Sequence, residues 1–212
     1  HPTSTARIYN VRNVDELIVL DIDASLNNEE INVEIISDIA NECFMPLTIG
    51  GGIKNLNDAE NAFKSGADKL SINTAAIKNS KIIGLINNIY GNQSIVMHIN
   101  AKYINKDYFV FVDAGRENSQ VKLKDWITKI QKIGIGEIVL TSVDNEGLEK
   151  GFDMRLLNEV KNLIDVPLIL SGGFGDIDQM RDCLKIHDVS GFALSSMLHY
   201  NLYDIETIKS KI

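Results

Sequence analysis

The chain has 212 residues, of which 44% are hydrophobic and 24% charged, and its formal net charge is −8. These values are typical of one globular domain with a single core. No basic run is present, which argues against a nucleic-acid-binding protein. No apolar stretch approaches the ~20 residues of a membrane helix, and the first ten residues lack a signal-peptide pattern, so we expect a cytoplasmic protein without membrane contact.

The two cysteines, Cys43 and Cys183, match neither a metal-binding spacing nor a disulfide framework. We expect both to be buried small side chains in a reducing compartment. The sequence therefore predicts neither a metal nor a cofactor.

Short apolar runs alternate with amphipathic stretches along the chain. The predicted strands are Leu17–Leu20, Leu47–Ile49, Lys69–Ile72, Ser94–Ile99, Glu137–Leu140, Val166–Leu170 and Gly191–Leu194. The clearest predicted helices are Asn57–Ser65, Leu123–Ile133 and Asp153–Ile164. This alternation indicates a parallel sheet with crossover helices. The β-rich segment Tyr103–Val112 predicts a small hairpin inserted after the fourth strand.

An internal repeat relates the two halves of the chain. Four ordered blocks recur: Glu16-Leu17-Ile18 with Glu137-Ile138-Val139, Asp23 with Asp144, Pro46-Leu47 and Gly51-Gly52 with Pro167-Leu168 and Gly172-Gly173, and Asn73-Thr74 with Ser195-Ser196. The offset is 121 residues for the first three blocks and 122 for the last. Ordered matches at nearly one offset indicate duplication of a half-barrel.

The predicted fold is a single parallel (β/α)8 barrel domain over residues 1–212, with halves at about 1–90 and 91–212. The second half supplies four strands and the first half three, so we expect seven parallel strands with a gap between those at Leu17 and Gly191. Such barrels typically span about 250 residues, which predicts roughly thirty native residues before His1, including the first strand. A naturally shortened barrel with two unpaired edges is the alternative.

Two glycine-rich turns follow strands, Gly50–Gly52 and Gly172–Gly175. Glycine lets backbone amides approach an anion closely. The next strand in each half ends in small polar residues, Asn73-Thr74 and Ser195-Ser196, where a helix start offers further N–H groups. A tight turn explains one glycine run, but two symmetric runs predict two phosphate sites and a ligand with a phosphate at each end.

Charged residues begin three strands: Glu16, Lys69 and Glu137. They are expected near the barrel axis at its amino-terminal mouth. They are either ordinary ion pairs or a ring that controls entry to the interior.

Acid–base candidates lie at the opposite strand ends. Asp144 and Glu146 follow the strand at Glu137, and Asn100 stands where a carboxylate would be useful. An amide cannot act as a general base at neutral pH. His98 lies on the same face of its strand as Asn100 and could titrate, or it could be a satisfied interior histidine.

These blocks resemble one family closely, the cyclase subunit of imidazole glycerol phosphate synthase. The matching segments are Asp15–Ile22, Leu47–Ile53, Ala67–Ala76, Gly136–Ser142 and Ser171–Gly173. The segment Ser71–Ala76 separates the chain from the sister isomerase of histidine synthesis, which shares the barrel and both phosphate sites.

The resemblance implies a glutaminase partner on the amino-terminal face and ammonia passage through the barrel to a phosphorylated ribulosyl nucleotide. Glu16, Lys69 and Glu137 match three of the four ammonia-gate residues, and Asp68 matches a docking residue. Phosphate-binding positions are matched by Gly51, Gly52, Asn73, Thr74, Gly172, Gly173, Ser195 and Ser196. The resemblance also assigns Thr141, Asp144 and Glu146 to the catalytic site.

Three departures from the family pattern concern catalysis. One of the family's two catalytic aspartates lies on the first strand, and the other position is Asn100. The usual loop aspartate is Glu146, and the threonine two residues beyond it is Leu148. The segment Glu42–Pro46 instead resembles a paralogous group linked to amidino modification of bacterial surface sugars.

Two functions compete on these observations. The first is a cyclase subunit that uses ammonia on the bis-phosphorylated nucleotide. The second is a barrel that has lost its acid–base pair and channels ammonia for surface-polysaccharide synthesis. Asn100 favours the second function, whereas the two phosphate sites favour the first. A sugar-phosphate isomerase is a weaker third hypothesis, because it too needs a carboxylate pair.

Overall fold

The computed structural model describes residues 2–24, 29–195, 198 and 203–212. The chain divides into two compact units, residues 1–97 and 98–212, which we call the first and second unit. The boundary falls inside strand β4 (Ile95–Ile104), a few residues after the boundary at about residue 90 that separates the halves predicted from the sequence. The reason is that the first three residues of β4 pair with the preceding strand of the first unit.

The first unit alternates strands and helices. Its elements are α1 (Pro2–Val11), β1 (Leu17–Leu20), α2 (Val33–Ala40), β2 (Leu47–Gly50), α3 (Leu56–Lys64), β3 (Lys69–Ile72), α4 (Thr74–Lys78), α5 (Lys81–Tyr90) and the start of β4. The strand order is β1-β2-β3-β4, and every pairing is parallel. Buried side chains of β2, β3 and α5 form its core, among them Leu47, Leu70, Ile72, Ile83 and Ile86.

The second unit repeats this arrangement and adds a hairpin. Its elements are the rest of β4, β5 (Asp107–Val112), β6 (Glu117–Lys122), α6 (Leu123–Ile133), β7 (Glu137–Ser142), α7 (Met154–Val160), β8 (Leu168–Ser171), α8 (Ile177–Ile186), β9 (Gly191–Ala193) and α9 (Ile205–Lys211). The order is β4-β7-β8-β9, and off this order β5 pairs antiparallel with β4, and β6 pairs antiparallel with β5. Among the described residues, seven strands, β1 to β4 and β7 to β9, follow one another in this order across the sheet. They correspond to the seven strands predicted from the sequence.

The hairpin lies where the sequence predicted it but is larger than Tyr103–Val112. Its first arm is the continuation of β4 to Ile104, and the turn residues Asn105 and Lys106 have φ of 49° and 70°. A third strand, β6, pairs with β5. The polar sequence of β6, with Gln120 at φ 62°, concealed this strand from hydrophobic patterning.

The predicted repeat appears in the strand registers. Leu17 of β1 lies opposite Leu47 of β2, and Ile138 of β7 lies opposite Leu168 of β8. Burial differs, however: all six residues of β7 are buried, whereas β1 is half-buried and Leu20 is 39% exposed. Among the described residues β1 pairs only with β2, while β7 has β4 and β8 as neighbours.

Matching caps start the helices of both units. Asn55 and Asp58 form a reciprocal capping box at α3, and Asp176 and Gln179 form one at α8. Each box satisfies amides that the first helical turn leaves unpaired, which fixes where the helix begins. The caps of α2 and α7, Asn32 and Asp153, correspond in the same way.

The two cysteines differ from each other. Cys183 of α8 is buried, as predicted, and burial raises its pKa to about 11. Cys43 is partly exposed rather than buried, because it lies in the short connection between α2 and β2. Among the described helices, none has the length and apolar character needed to cross a bilayer.

Candidate active site at the carboxyl ends of the strands

The first glycine turn follows β2 and lies under the loop after β1. Gly51 and Gly52 have φ of 89° and 73°, in the left-handed region that favours glycine. A Cβ on Gly51 would lie 2.1 Å from the backbone oxygen of Asp21. Packing against this loop is therefore sufficient to require glycine here, whether or not an anion binds.

Asn73 and Thr74 follow the neighbouring strand β3. Asn73 occupies the N-cap position of α4, and Thr74 is its first residue. The register pairs Gly50 with Ser71, so the ends of β2 and β3 lie side by side. The structure thus brings the glycine turn and the small polar helix start together, as the sequence predicted for the first half.

The second glycine turn follows β8 and has the same backbone form. Gly172 and Gly173 have φ of 82° and 95°. A Cβ on Gly173 would lie 2.3 Å from the backbone oxygen of Gly151, whose own N–H donates to the Gly173 oxygen at 2.7 Å. The loop between β7 and α7 therefore covers this turn closely.

The small polar residues after β9 are placed in part. Ser195 is exposed, two residues beyond the strand. Ser196 lies outside the described residues, so the second predicted helix start is untested. The register pairs Ser171 with Ala193, which aligns the ends of β8 and β9.

The charged residues at strand starts lie in different units. Glu16 and Lys69 of the first unit form an ion pair, with Oε2 and Nζ 2.9 Å apart and side chains 40% and 21% exposed. Glu137 begins β7 of the second unit and is buried. The structure thus brings together two of the three predicted gate residues.

Asp68 has a structural task of its own. Its carboxylate accepts the Leu47 N–H at 2.8 Å, and its N–H donates to the Leu47 oxygen at 2.8 Å. These two bonds fasten the start of β2 to the start of β3. The residue is nevertheless exposed, so its surface remains accessible to a partner.

Asn100 and His98 lie on one face of β4. Both are half-buried, whereas Ile99 and Ala101 on the opposite face are fully buried. Lys102 continues the first face, with its Nζ 5.6 Å from the centre of the Phe111 ring. The face of β4 that carries the amide therefore carries an imidazole before it and an ammonium group after it.

His98 is hydrogen-bonded to a predicted site residue. Its Nε2 lies 3.0 Å from the Oγ1 of Thr141, near the end of β7. Removal from water lowers the pKa of His98 to about 4. The imidazole is therefore neutral at physiological pH and has one donor and one acceptor nitrogen.

The two loop carboxylates have different surroundings. Asp144 accepts the Tyr103 N–H at 2.9 Å, which ties it to the end of β4. Burial raises the pKa of Glu146. A Cβ on Gly172 would lie 3.6 Å from the Glu146 Cα and 3.3 Å from the Thr141 Cγ2, so these residues meet beside the second glycine turn.

Sequence reasoning missed a carboxylate that joins three elements. Asp153 accepts the hydroxyls of Tyr108 and Ser142 at 3.0 Å each, and the Leu156 N–H at 2.9 Å. Burial, and then the adjacent Asp153 charge, raises the pKa of Tyr108. The signal was available, because Asp153 lies 121 residues after Asn32, the helix cap of the first unit.

A large apolar side chain at the amino end of β2 was also missed. Phe44 is 86% exposed, three residues before the strand begins. Its N–H donates to the Asn10 Oδ1 at 3.4 Å, and Arg7 and Glu42 form an ion pair beside it. The segment Glu42–Pro46 was noted for its unusual sequence, but exposure could not be deduced from an apolar residue type.

Within the part of the chain that the structure describes, no three His, Cys, Asp or Glu side chains are grouped to hold a metal ion.

Comparison with known proteins identifies the family. A family model described as "Histidine biosynthesis protein" matches residues 1–204. The chain belongs to the histidine biosynthesis protein family. Members of this family have the (β/α)8 barrel fold, which confirms the predicted fold class.

The family assignment is supported by similar proteins named imidazole glycerol phosphate synthase subunit HisF. That of Lactococcus lactis subsp. cremoris is 38% identical over 213 residues, covering 100% of this chain and 82% of the relative. That of Dictyoglomus thermophilum is 40% identical and covers 96% and 81%. That of Clostridium botulinum is 36% identical and covers 99% and 83%. The recognised resemblance is thereby confirmed across the chain.

Proposed function

We propose that the protein is the cyclase-type subunit of an imidazole glycerol phosphate synthase. It would use ammonia from a glutaminase partner on a bis-phosphorylated ribulosyl nucleotide, within histidine biosynthesis. The observation that carries this proposal is the pair of left-handed glycine turns at matching strand ends, at Gly51–Gly52 and Gly172–Gly173. The names of the similar proteins support the same activity.

The glycine turns would bind the phosphate groups of the substrate. In the first unit Asn73 and Thr74 lie beside the turn, and in the second unit Ser195 and Ser196 are the proposed equivalents. Backbone amides and small hydroxyls bind phosphate through hydrogen bonds without requiring a basic surface. This mode of binding is compatible with a net charge of −8.

The amino ends of the strands would receive the glutaminase. Glu16, Lys69 and Glu137 are proposed as the ammonia gate, and Asp68 as a docking residue. The exposed ring of Phe44 extends this surface in the first unit. An exposed aromatic ring is a typical anchor of a protein interface, so the partner is expected to present an apolar pocket to it.

Proton transfer is the weak point of the proposed cyclase. Asn100 occupies the position of a family aspartate and cannot exchange a proton at neutral pH. The Cα of Glu146 lies close to the second glycine turn, and burial raises the pKa of this carboxylate. We assign the residual proton transfer to Glu146, with Asp144 and Thr141 as further members of the site.

Asn100 also favours a second candidate function. A barrel that retains its partner surface but lacks an aspartate at Asn100 would channel ammonia to a separate amidotransferase, in surface-polysaccharide synthesis. The unusual segment Glu42–Pro46, with Phe44 exposed, is the feature that would distinguish its glutaminase from that of the histidine pathway.

Ligand binding, turnover and partner binding together test the proposal. Crystals soaked in phosphate should show density at the turns near Gly52 and Gly173, and density at neither turn, with both ordered, would reject the phosphate sites. Calorimetry should then show binding of the ribulosyl nucleotide to the intact protein. Binding with slow turnover in ammonium salts favours the cyclase, whereas glutaminase binding without nucleotide binding favours the ammonia-delivery function.

A further inference from the structure

The His98 side chain contacts Thr141, a residue of the proposed catalytic site. His98 Nε2 and Thr141 Oγ1 lie 3.0 Å apart, joining β4 to β7 within the second unit. Thr141 is only 1% exposed, and His98 shares its strand face with Asn100. A hydrogen bond between two such groups restricts the rotation of the hydroxyl.

The surroundings of Thr141 connect this hydrogen bond to the proposed ligand site. Its Cγ2 would lie 3.3 Å from a Cβ placed on Gly172, and the Glu146 Cα would lie 3.6 Å from the same point. Thr141 therefore stands beneath the second glycine turn, next to the loop carboxylate. The orientation of the Thr141 hydroxyl should therefore affect ligand binding at the second glycine turn.

The protonation of His98 determines what that hydroxyl can do. Because burial lowers the pKa of His98 to about 4, the ring is neutral at pH 7, with one N–H and one bare nitrogen. If Nε2 is bare, it accepts a hydrogen bond from the Thr141 hydroxyl, and the oxygen lone pairs of Thr141 remain for a donor group of the ligand. If Nε2 carries the proton, the Thr141 hydroxyl is free to donate instead.

We propose that His98 is a positioning residue that holds the Thr141 hydroxyl in one orientation toward the ligand at the second glycine turn. The inference rests on the proposed binding of a phosphorylated nucleotide by this site. His98 itself does not touch the substrate in this account, and Thr141 makes the contact. The imidazole acts through its tautomer and not by exchanging protons with the reaction.

A double-mutant cycle on nucleotide binding tests this inference in the intact protein. The variants are His98→Leu, Thr141→Val, the double variant and His98→Gln, with the bis-phosphorylated ribulosyl nucleotide as the probe. A single hydrogen bond changes affinity by roughly three- to tenfold. We expect His98→Leu and Thr141→Val each to weaken binding by about that factor, and the double variant to weaken it no further.

His98→Gln supplies the control, because its side-chain amide can reach the position of Nε2 and bond the same hydroxyl. We expect it to restore binding to within about twofold of wild type, since it replaces the one hydrogen bond at issue. Nitrogen NMR of His98 should show one dominant tautomer in the wild type and a changed ratio in Thr141→Val. A ring that merely fills space would show neither the rescue nor the change.

The outcomes separate the inference from the proposed function. If the wild type does not bind the nucleotide at all, the proposed function fails and this inference with it. If the wild type binds but the effects of His98→Leu and Thr141→Val add, His98 does not act through Thr141. Unchanged affinity in His98→Leu would equally overturn the positioning role.

Discussion

Strands β1 to β3 and strands β7 to β9 have the same backbone arrangement, but different residue types follow them. Leu17 and Ile138 start matching registers, and the glycine turns adopt the same left-handed conformations. The residue types at the matching contacts differ: a Cβ on Gly51 would meet the backbone oxygen of Asp21, and one on Gly172 that of Ser142. The backbone arrangement is therefore shared by the two halves, whereas residue types beside the turns are not.

The candidate proton-transfer groups Asp144 and Glu146 lie in the second unit, and so does Asn100. If the proposed cyclase function holds, we expect Asn100→Asp to raise ammonium-dependent turnover of the ribulosyl nucleotide. Restoring one acid–base group is typically worth ~10²–10⁴ in rate. Steady-state kinetics with purified protein would measure the change.

The opposite result is equally specific. A robust rate in the unmodified protein, unaffected by Asn100→Asp and abolished by His98→Ala, would show that the imidazole transfers the proton. His98 would then have replaced the missing carboxylate at Asn100 as the catalytic group.

The two glycine turns can be compared by adding one methyl group to each. In Gly51→Ala the Cβ would meet the Asp21 oxygen at 2.1 Å, whereas in Gly172→Ala it would meet the Ser142 oxygen at 3.1 Å. We expect Gly51→Ala to lower the free energy of unfolding by more than about 3 kcal/mol, and Gly172→Ala by about 1–2 kcal/mol. Urea denaturation measures both values.

Gly147 provides the control for backbone conformation alone. Its φ is 72°, and a Cβ there would have nothing within 4 Å. Gly147→Ala should cost about 1 kcal/mol from the left-handed conformation. If Gly51→Ala costs no more than this, the close packing of the first turn on the β1 loop is incorrect.

His98, in the second unit, should make the free energy of unfolding depend on pH. Its pKa is about 4 in the folded protein, below the 6.5 of a free histidine, so the unfolded chain binds the proton more readily. The free energy of unfolding is therefore at its full value above pH 6.5, and the contribution from neutral His98 is lost as the pH falls toward 4. We expect the wild type to lose about 2 kcal/mol more than His98→Gln over this range.

Denaturation curves at several pH values would measure this difference. His187, at the carboxyl end of α8 and outside the site, provides a matched histidine-to-glutamine control, His187→Gln. Parallel curves for the wild type and His98→Gln would mean that the imidazole is accessible to water, against the burial seen here.

The amino ends of β2 and β8 offer the mildest comparison. Phe44 precedes β2 by three residues, and Asp165 precedes β8 by three. If the glutaminase docks on the first unit as proposed, Phe44→Ser should weaken its binding by about tenfold, because an exposed aromatic ring becomes an anchor when a partner covers it. Surface plasmon resonance would measure it.

Asp165→Ala is the matched variant in the second unit, and both proteins should melt like the wild type. Equal effects of the two substitutions on glutaminase affinity would argue against Phe44 as an anchor. A lowered melting temperature of Phe44→Ser would show that the ring stabilises the fold despite its exposure.

Periodicity and the repeat predicted most of the scaffold from the sequence. Leu17–Leu20, Lys69–Ile72 and Leu123–Ile133 are observed with the predicted bounds, because apolar spacing directly reflects burial. Strand β6 was missed because its polar residues pair through the backbone, which leaves no hydrophobic pattern. The longer β4 was missed because its second part pairs in the hairpin.

The site was predictable as a set of residue types but not as a set of contacts. The glycines and the loop carboxylates were named as candidates because they follow predicted strands, and Asn100 because the resemblance places an aspartate there. The His98–Thr141 hydrogen bond joins residues 43 positions apart, and no local pattern encodes it. The same holds for Asp153. Its role as a helix cap follows from the repeat, but its hydrogen bonds to Tyr108 and Ser142 depend on tertiary packing.

The repeat offset rises from 121 to 122 residues between the second capping box and β9, and α8 is where the extra residue is found. Helix α3 has nine residues and α8 has ten, although both begin at equivalent positions after their glycine turns. The insertion has thus been absorbed downstream of the turn, at the end of a helix, without altering the backbone that precedes it. A chimaera made by exchanging the segment from β2 to the end of α3 for that from β8 to the end of α8 would keep both turns and both caps, which makes this segment a natural unit of recombination between the halves.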